Sequence, residues 1–167
     1  MKKIVTLAII ALLAAVTASA QQTPVMGSNA FGTFKLKQDY KKVKTVLKPC
    51  FTNFLEEYQD MGEYMSVSCY DGEDIAAVFY TDSFPDDNLI IGYYVRSPKF
   101  KTAKGYSLSS TAAELLEAGG ELDKVDMGIH IKLDGLYFWF EDQAMTGRRL
   151  DPEAKPFVVG TAPYLVF

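Results

Sequence analysis

The sequence predicts an α+β domain with a mostly antiparallel sheet of six or seven strands and short helices on one face. Several short stretches alternate apolar and polar residues, and others carry apolar residues at helical spacing. Two Asp-Gly pairs stand between alternating stretches, as is typical of β-hairpin turns. These observations predict the order helix, three strands, helix, and then three or four strands.

The first twenty residues have the three parts of a secretory signal peptide. Lys2 and Lys3 precede an apolar run at 4–16, and the small residues of 17–20 end with Ala20. The run is shorter than the roughly 20 apolar residues that span a bilayer. We therefore expect cleavage near Ala20, export to the periplasm or the medium, and no membrane span in the mature chain.

The remaining part of the chain has a length that suits one domain. The segment 21–30, with Pro24 and Gly27, has no periodicity, and we expect a flexible tail there. The single domain is then expected to cover 31–167.

The first helical region is predicted on either side of Pro49. Apolar residues recur at helical spacing in 39–48, namely at Tyr40, Val43, Val46 and Leu47. The same spacing continues beyond Pro49, at Phe51, Phe54, Leu55 and Tyr58. The pattern predicts two short helices, the second with Pro in its first turn.

Strands are predicted next, followed by a second helix. Alternation at 63–70, 74–81 and 89–96 predicts three strands, with a hairpin turn at Asp71-Gly72 and an acidic loop at 82–88. Thr111 and Glu114 form a capping-box pattern, which predicts a short helix that ends near Gly119.

The last third of the chain repeats the hairpin pattern. Strands are predicted at 129–133 and 136–140 around Asp134-Gly135, with final strands at 157–159 and 164–167. Each half therefore has a Lys-rich segment with a glycine, a helix, and a hairpin on Asp-Gly. An internal duplication, with repeats 31–96 and 97–167, is one interpretation of this order; chance similarity of pattern is the other.

The stretch 97–105 (SPKFKTAKG) runs into the capped helix and its glycine. It resembles a phrase of small exported bacterial domains, in which a strand leads through a T-x-x-G turn into a short helix. With the doubled helix-and-sheet layout, it is similar to the β-lactamase-inhibitor-protein-like and SmpA/OmlA-like folds. That resemblance implies a noncatalytic protein that presents a sheet or its loops to a protein partner. Ser109, where such phrases often carry Gly, and Pro49 depart from it, and no family binding residue matches a position here.

The two cysteines, Cys50 and Cys69, would lie in a compartment that permits disulfides. A disulfide between them and a pair of buried free thiols are equally compatible with the sequence. Two thiols without a nearby histidine make a poor metal site.

No catalytic or cofactor motif is present. His130 is the only histidine, and its position in an alternating stretch predicts a solvent-facing residue of a strand. The chain lacks a nucleophile elbow, a glycine-rich phosphate loop and a zinc-ligand set. We therefore predict no catalytic residues, no metal and no cofactor. A small hydrolase built on two carboxylates stays open as an alternative, because such chemistry needs only two acids at the right separation.

Charge is distributed unevenly. The first twenty residues hold two of the 17 basic residues and none of the 21 acidic ones, so the mature chain has 15 basic and 21 acidic residues and a net charge of −6. Segment 35–48 has six lysines and one acid, Asp39. Segment 96–104 has no acid, and its basic residues are Arg96, Lys99, Lys101 and Lys104. Two basic segments on an acidic body are expected to attract an acidic partner or an anionic envelope surface, unless they are ordinary solvated surface.

A second candidate surface is aromatic. Leu136, Phe138 and Phe140 share one face of a predicted strand, so Tyr137 and Trp139 share the other. On that face they would lie beside His130 and Lys132 of the paired strand. Exposed Trp and Tyr are typical interface anchors. The alternative is that a second layer covers this face.

These observations lead to one function hypothesis and two alternatives. The leading hypothesis is an exported, noncatalytic binding protein for an unknown protein or glycan. Its predicted binding residues are Trp139, Tyr137, His130, Lys132, Lys99, Lys101 and Lys104. The alternatives are a small carboxylate-based hydrolase and an envelope-associated structural protein in contact with an anionic surface. Export and negative net charge disfavour nucleic acid as a partner.

Overall fold

The computed structural model describes residues 23–59, 64–82, 89–125, 128–147 and 149–162, and most of them belong to strands. In chain order the strands are β1 (Val25–Gly27), β2 (Ala30–Phe31), β3 (Phe34–Lys35), β4 (Asn53–Gln59), β5 (Tyr64–Asp71), β6 (Asp74–Asp82), β7 (Leu89–Val95), β8 (Lys101–Thr102), β9 (Glu121–Val125), β10 (Gly128–Leu133), β11 (Leu136–Phe140), β12 (Met145–Thr146), β13 (Arg149–Leu150) and β14 (Val158–Gly160). The α-helices of the described residues are α1 (Lys41–Leu47) and α2 (Ala112–Glu117). Short 3-10 turns cover Lys48–Cys50 and Asp142–Ala144.

One eight-stranded antiparallel sheet dominates the fold. Its strand order is β4-β5-β6-β7-β14-β11-β10-β9, so two four-stranded meanders meet at the pairing of β7 with β14. Each meander follows one helix in the sequence, α1 before the first and α2 before the second. This layout fits the two predicted repeats, although duplication itself stays a prediction.

The predicted α+β class with six or seven strands is wrong, because the protein is mostly β and its large sheet alone has eight strands. The main error is the second predicted helix, because its residues from Asn53 onward form β4 and pair with β5. Phe54 packs against the core there, but Leu55 and Tyr58 are exposed. Helical spacing arose because an edge strand leaves apolar residues in water, not because those residues share a helix face.

Three of the predicted local structures are confirmed. Helix α1 lies within 39–48 as expected, and α2 begins with the full capping box, in which the Thr111 hydroxyl accepts from the Glu114 amide and the Glu114 carboxylate accepts from the Thr111 amide. Asp134 and Gly135 turn between β10 and β11 with φ of 52° and 77°, as a type I′ turn requires. The other hairpin turns one residue later than predicted, at Gly72-Glu73, and Asp71 belongs to β5.

The segment expected as a flexible tail contains an ordered strand. Strand β1 pairs with β2 and, in parallel, with β8, in a second sheet of order β3-β2-β1-β8. The Tyr93 hydroxyl accepts from the Gly27 amide at 2.9 Å and lies 2.8 Å from the Gly27 carbonyl, to which it donates. The expectation of a tail is therefore wrong for 25–30. The predicted signal peptide at 1–20 and the predicted strand at 164–167 lie outside the described residues.

The main core lies between one face of the large sheet and the layer formed by α1, α2 and the small sheet. Phe31 is at its centre, with ring centroids of Phe79, Tyr93 and Phe100 at 5.5, 5.2 and 4.9 Å. All four side chains are buried. Val43 and Leu47 of α1 and Leu115 of α2 join the same cluster. Both helices are therefore held by a single apolar face each, which leaves their other faces to solvent.

Candidate functional site

The second face of the large sheet carries its own buried cluster. Its buried members are Val78, Tyr80, Tyr94, Trp139 and Val158. Tyr64, Ile75, Tyr137 and Phe157 pack against them and are partly buried. Both faces of the central strands are therefore shielded from water.

The expectation that Trp139 and His130 lie exposed on an open sheet is wrong. Each side chain is only 1% exposed. The alternative, a covered face, describes this part of the molecule. The backbone alternation of β10 and β11 was correctly predicted, but alternation reports which face a residue occupies and not whether that face is covered. Trp139 and His130 therefore cannot serve as an exposed anchor for a partner.

His130 is enclosed by aromatic rings and one carboxylate. Its ring centroid lies 4.7 Å from that of Trp139 and 5.0 Å from that of Tyr137. Its Nε2 is 3.8 Å from an Asp123 oxygen, while the buried atoms His130 Nδ1 and Trp139 Nε1 have no hydrogen-bond partner among the described residues. Burial lowers the pKa of His130 below its usual range; Asp123 acts in the opposite direction and Lys132 in the same direction. The imidazole is thus held in its neutral form near neutral pH.

Tyr137 and Lys132 are the more accessible members of this predicted set. Lys132 is exposed and Tyr137 is partly buried. The two residues face each other across paired strands, and the Lys132 ammonium lies 5.8 Å from the centroid of the Tyr137 ring. Their predicted role in binding is not tested by this geometry.

In the predicted basic loop at 96–104, two of the four basic residues form ion pairs with acids of the large sheet and its turns. Lys99 forms an ion pair with Asp71 at 2.5 Å, and Lys104 forms one with Asp134 at 2.9 Å. The Lys99 ammonium also lies 5.0 Å from the Phe100 ring centroid. Lys101 is exposed at strand β8. The loop therefore links the hairpins of both halves of the sheet, one through each ion pair.

The basic segment 35–48 is the opposite case. Its lysines are all exposed, and Lys44 is the only one that forms an ion pair within the described part of the chain, with Glu56 of β4. The Asp39 carboxylate accepts a hydrogen bond from the Lys41 amide at 2.8 Å. The turn before α1 is fixed to β7, because the Lys37 amide donates to the Ile90 carbonyl at 2.7 Å and the Ile90 amide to that of Gln38 at 2.9 Å. This hydrogen-bonded part of the fold thus carries six exposed lysines, of which Lys44 alone has an ion-pair partner among the described residues.

Within α1 the lysines are ordered by helical geometry. Lys41 and Lys48 stand three residues before and four residues after Lys44, and the Lys48 amide donates to the Lys44 carbonyl, so the helical path continues to Lys48. Residues at this spacing share a helix face. Lys41, Lys44 and Lys48 therefore form one row, called here the lysine row, along the side of α1 that faces Glu56.

The cysteines are free thiols, the second of the two alternatives considered above. Cys69 is fully buried in β5, and burial raises the pKa of its thiol. Cys50 is partly buried at the end of the 3-10 turn after α1, and burial raises its thiol pKa too, with Lys99 acting in the opposite direction. Neither environment produces an activated thiolate.

A cleft of about 460 Å³ lies at the end of the sheet where β5 turns into β6. Its acidic lining residues Asp71, Glu73 and Asp74 are all exposed, and Arg96 and Ser97 complete its polar wall. This is not a deep cleft that encloses two acids, the arrangement that a carboxylate-based hydrolase would favour. Across the described residues, no group of three or more His, Cys, Asp or Glu side chains could hold a metal ion.

Comparisons with known proteins give information on the fold and on no other property. No family model matches the chain, and no curated protein matches it. The crystal structure of the uncharacterized protein YfeY from Escherichia coli is similar, with a TM-score of 0.59 and 13% sequence identity over 81% of this chain and 97% of that chain. This similarity shows a shared, mostly-sheet fold. It supports neither of the two families that the sequence resembles.

Both α-helices of the described residues are short, with seven residues in α1 and six in α2. None of their helices is long and apolar enough to cross a bilayer.

Tyr58 is an exposed aromatic residue that the sequence did not single out. Its side chain is 74% exposed, the highest value among the large apolar and aromatic side chains described as exposed. If 53–59 had been predicted as an edge strand, an exposed position for Tyr58 would have followed.

Proposed function

We propose that this protein is an exported, noncatalytic binding protein that recognises an anionic partner through the basic segment 35–48. The observation that carries the proposal is the exposed position of all six lysines of this segment, of which Lys44 alone pairs with an acid among the described residues. Uncompensated surface charge on a rigid element attracts a partner of opposite sign and raises the rate of encounter. The acidic remainder of the molecule makes this attraction directional.

The segment is a better candidate than the two surfaces predicted first. Trp139 and His130 are buried, and Lys99 and Lys104 already have acidic partners. A lysine whose charge is balanced by a neighbouring carboxylate contributes little to the field that a distant anion meets. Among the described residues, the acids that contact segment 35–48 are Glu56, which pairs with Lys44, and Asp39, which accepts from the Lys41 amide.

The test compares two variants with the same change in net charge. The basic-segment variant is Lys41→Glu/Lys42→Glu/Lys48→Glu, which leaves the Lys44–Glu56 pair intact. The scattered control is Lys101→Glu/Lys132→Glu/Lys155→Glu, at exposed lysines elsewhere on the surface. Far-ultraviolet circular dichroism and urea unfolding establish that both variants fold.

The three proteins are then immobilised and exposed to envelope extract from the cells that produce the protein. We expect the wild type and the scattered control to retain the same anionic component, whether protein or lipid, and the basic-segment variant to lose it. Equal retention by all three proteins would refute the proposal. Loss with the scattered control alone would return the binding role to Lys101 and Lys132.

A further inference from the structure

We infer that the anionic partner is a lipid bilayer, which docks against the lysine row and Tyr58. This inference rests on the function proposed above and names the partner of that surface. Four features of the described residues support it: the geometry of the row, the position of Tyr58, the choice of Lys over Arg, and the shape of the surface.

The lysine row and Tyr58 lie on the same side of the molecule. Glu56, which pairs with Lys44, and Tyr58 are two residues apart in β4, so their side chains point to the same face of the sheet. The partners of these two residues in β5 are Val67 and Met65, both buried in the main core, which also contains the apolar side chains of α1. Tyr58 therefore projects beside the helix that carries the row.

The combination of lysines and an exposed tyrosine suits a membrane surface. A basic residue close to an anionic leaflet contributes about 1 kcal/mol of attraction, or roughly fivefold in partitioning. Tyrosine favours the headgroup level of a bilayer, where its ring is half-immersed and its hydroxyl stays in water. The Tyr58 side chain is 74% exposed, so most of its apolar ring surface stays in contact with water unless a partner covers it.

The residue types favour a lipid surface over an acidic protein. All six cations of segment 35–48 are lysines and none is arginine. Protein interfaces are enriched in Arg and depleted in Lys, because the planar guanidinium fits a carboxylate through two hydrogen bonds. Lysine acts as a point charge without such geometry, which is sufficient for a diffuse layer of headgroups.

The shape of the surface points the same way. The lysine row runs over the eight residues from Lys41 to Lys48, a rise of about 10 Å along α1 and its C-terminal cap. The described cleft lies elsewhere, at the turn between β5 and β6. None of the three lysines of the row lines that cleft, and a row of exposed lysines along a helix can contact a planar surface.

The experiment measures co-sedimentation of the exported, processed protein with vesicles. One set is phosphatidylcholine alone and the other contains about 30% phosphatidylglycerol, which supplies the anionic surface. We expect at least tenfold stronger partitioning to the anionic vesicles, and its loss at roughly 0.5 M salt, where screening is nearly complete within a few ångströms. The basic-segment variant should bind to the anionic vesicles on the order of 100-fold more weakly than the wild type.

Tyr58 provides a matched pair of variants within one strand. Tyr58→Ser should weaken binding to anionic vesicles several-fold, whereas Leu55→Ser should leave it unchanged. Leu55 is also exposed, but it lies on the opposite face of β4. Equal effects of the two substitutions would overturn the proposed orientation.

The outcomes separate this inference from the function on which it rests. Equal partitioning of the wild type to both kinds of vesicle would overturn lipid docking. If the basic segment then still captured an acidic protein from envelope extract, the proposed function would stand with a protein partner. If the basic-segment variant behaved as the wild type in both experiments, the inference and the proposed function would both fail.

Discussion

The two basic segments of this protein look alike in composition and differ in what their charge does. In segment 35–48, Lys44 is the single lysine with an ion pair among the described residues. In segment 96–104, Lys99 and Lys104 pair with Asp71 and Asp134, next to the hairpin turns of the two meanders. The first segment therefore presents its charge to solvent, and the second uses it to hold the halves of the sheet together. A count of charges does not reveal this difference, because the compensating acids are about 30 residues away in sequence.

The segments also differ in how they are anchored. Segment 96–104 contributes Phe100, which is fully buried between Phe31 and Phe51 with ring centroids at 4.9 and 5.7 Å. Segment 35–48 is anchored by the apolar face of α1, through Val43 and Leu47. The loop is thus anchored in the core by one aromatic ring, whereas the helix is anchored in the same core by two aliphatic side chains.

The largest expected effect tests the loop as a core anchor. Phe100→Ala should lower the free energy of unfolding by about 3–5 kcal/mol, because it removes a buried ring and leaves a cavity. Urea unfolding followed by tryptophan fluorescence measures it. The neighbouring Lys101→Ala, at an exposed position, should stay within about 0.5 kcal/mol of the wild type. A cost below about 1 kcal/mol for Phe100→Ala would show that the loop is not held by the core.

The next effect compares the two helices. Helix α2 has a complete capping box, whereas the N-cap of α1, Tyr40, makes no side-chain capping bond. Thr111→Ala should therefore cost about 1 kcal/mol of unfolding free energy. Thr45→Ala, on the exposed side of α1, is the matched control and should be nearly neutral. Equal effects at both positions would mean that the cap does not distinguish the helices.

A smaller effect concerns the ion pairs of the loop. Lys99→Ala and Lys104→Ala should each cost about 0.2–1 kcal/mol, since both pairs are partly exposed to solvent. Double-mutant cycles with Asp71→Ala and Asp134→Ala measure the coupling directly. Lys41→Ala in the other segment should show no coupling to either acid. Coupling energies of zero for both pairs would show that the ion pairs of segment 96–104 do not stabilise the fold, and the proposed difference between the two basic segments would be wrong.

The pH dependence concerns a buried residue that only the second half contains. His130 and Ser68 occupy equivalent positions in the two meanders, because each lies three residues before the last paired residue of its hairpin strand. Both side chains are buried. Because the pKa of His130 is lowered in the folded state, the unfolded chain binds the proton first as pH falls.

Stability from neutral His130 is therefore complete above pH about 6.5 and is lost as pH falls from there toward the lowered folded pKa. Urea midpoints at pH about 7.5 and 5 should differ more for the wild type than for His130→Gln. Most carboxylates do not titrate within this pH window. If the urea midpoints of the wild type and His130→Gln shifted equally between the two pH values, His130 would not be the source of the pH dependence.

Sequence by itself determined several local structures of this protein. The capping box at Thr111, the apolar stripe of α1 and the Asp134-Gly135 turn each depend on contacts between residues within a few positions of one another. Alternation likewise identified which residues of β10 and β11 share a face. Such signals are readable because both partners lie in the same short window of the chain.

Only the tertiary structure decided which of those surfaces are available. It buried Trp139 and His130, made Phe54 through Tyr58 part of an edge strand instead of a helix, and paired Lys99 and Lys104 with acids distant in sequence. Each outcome depends on what packs against a residue from another part of the chain. Burial and charge compensation are properties of three-dimensional neighbours, so a pattern along the sequence cannot report them.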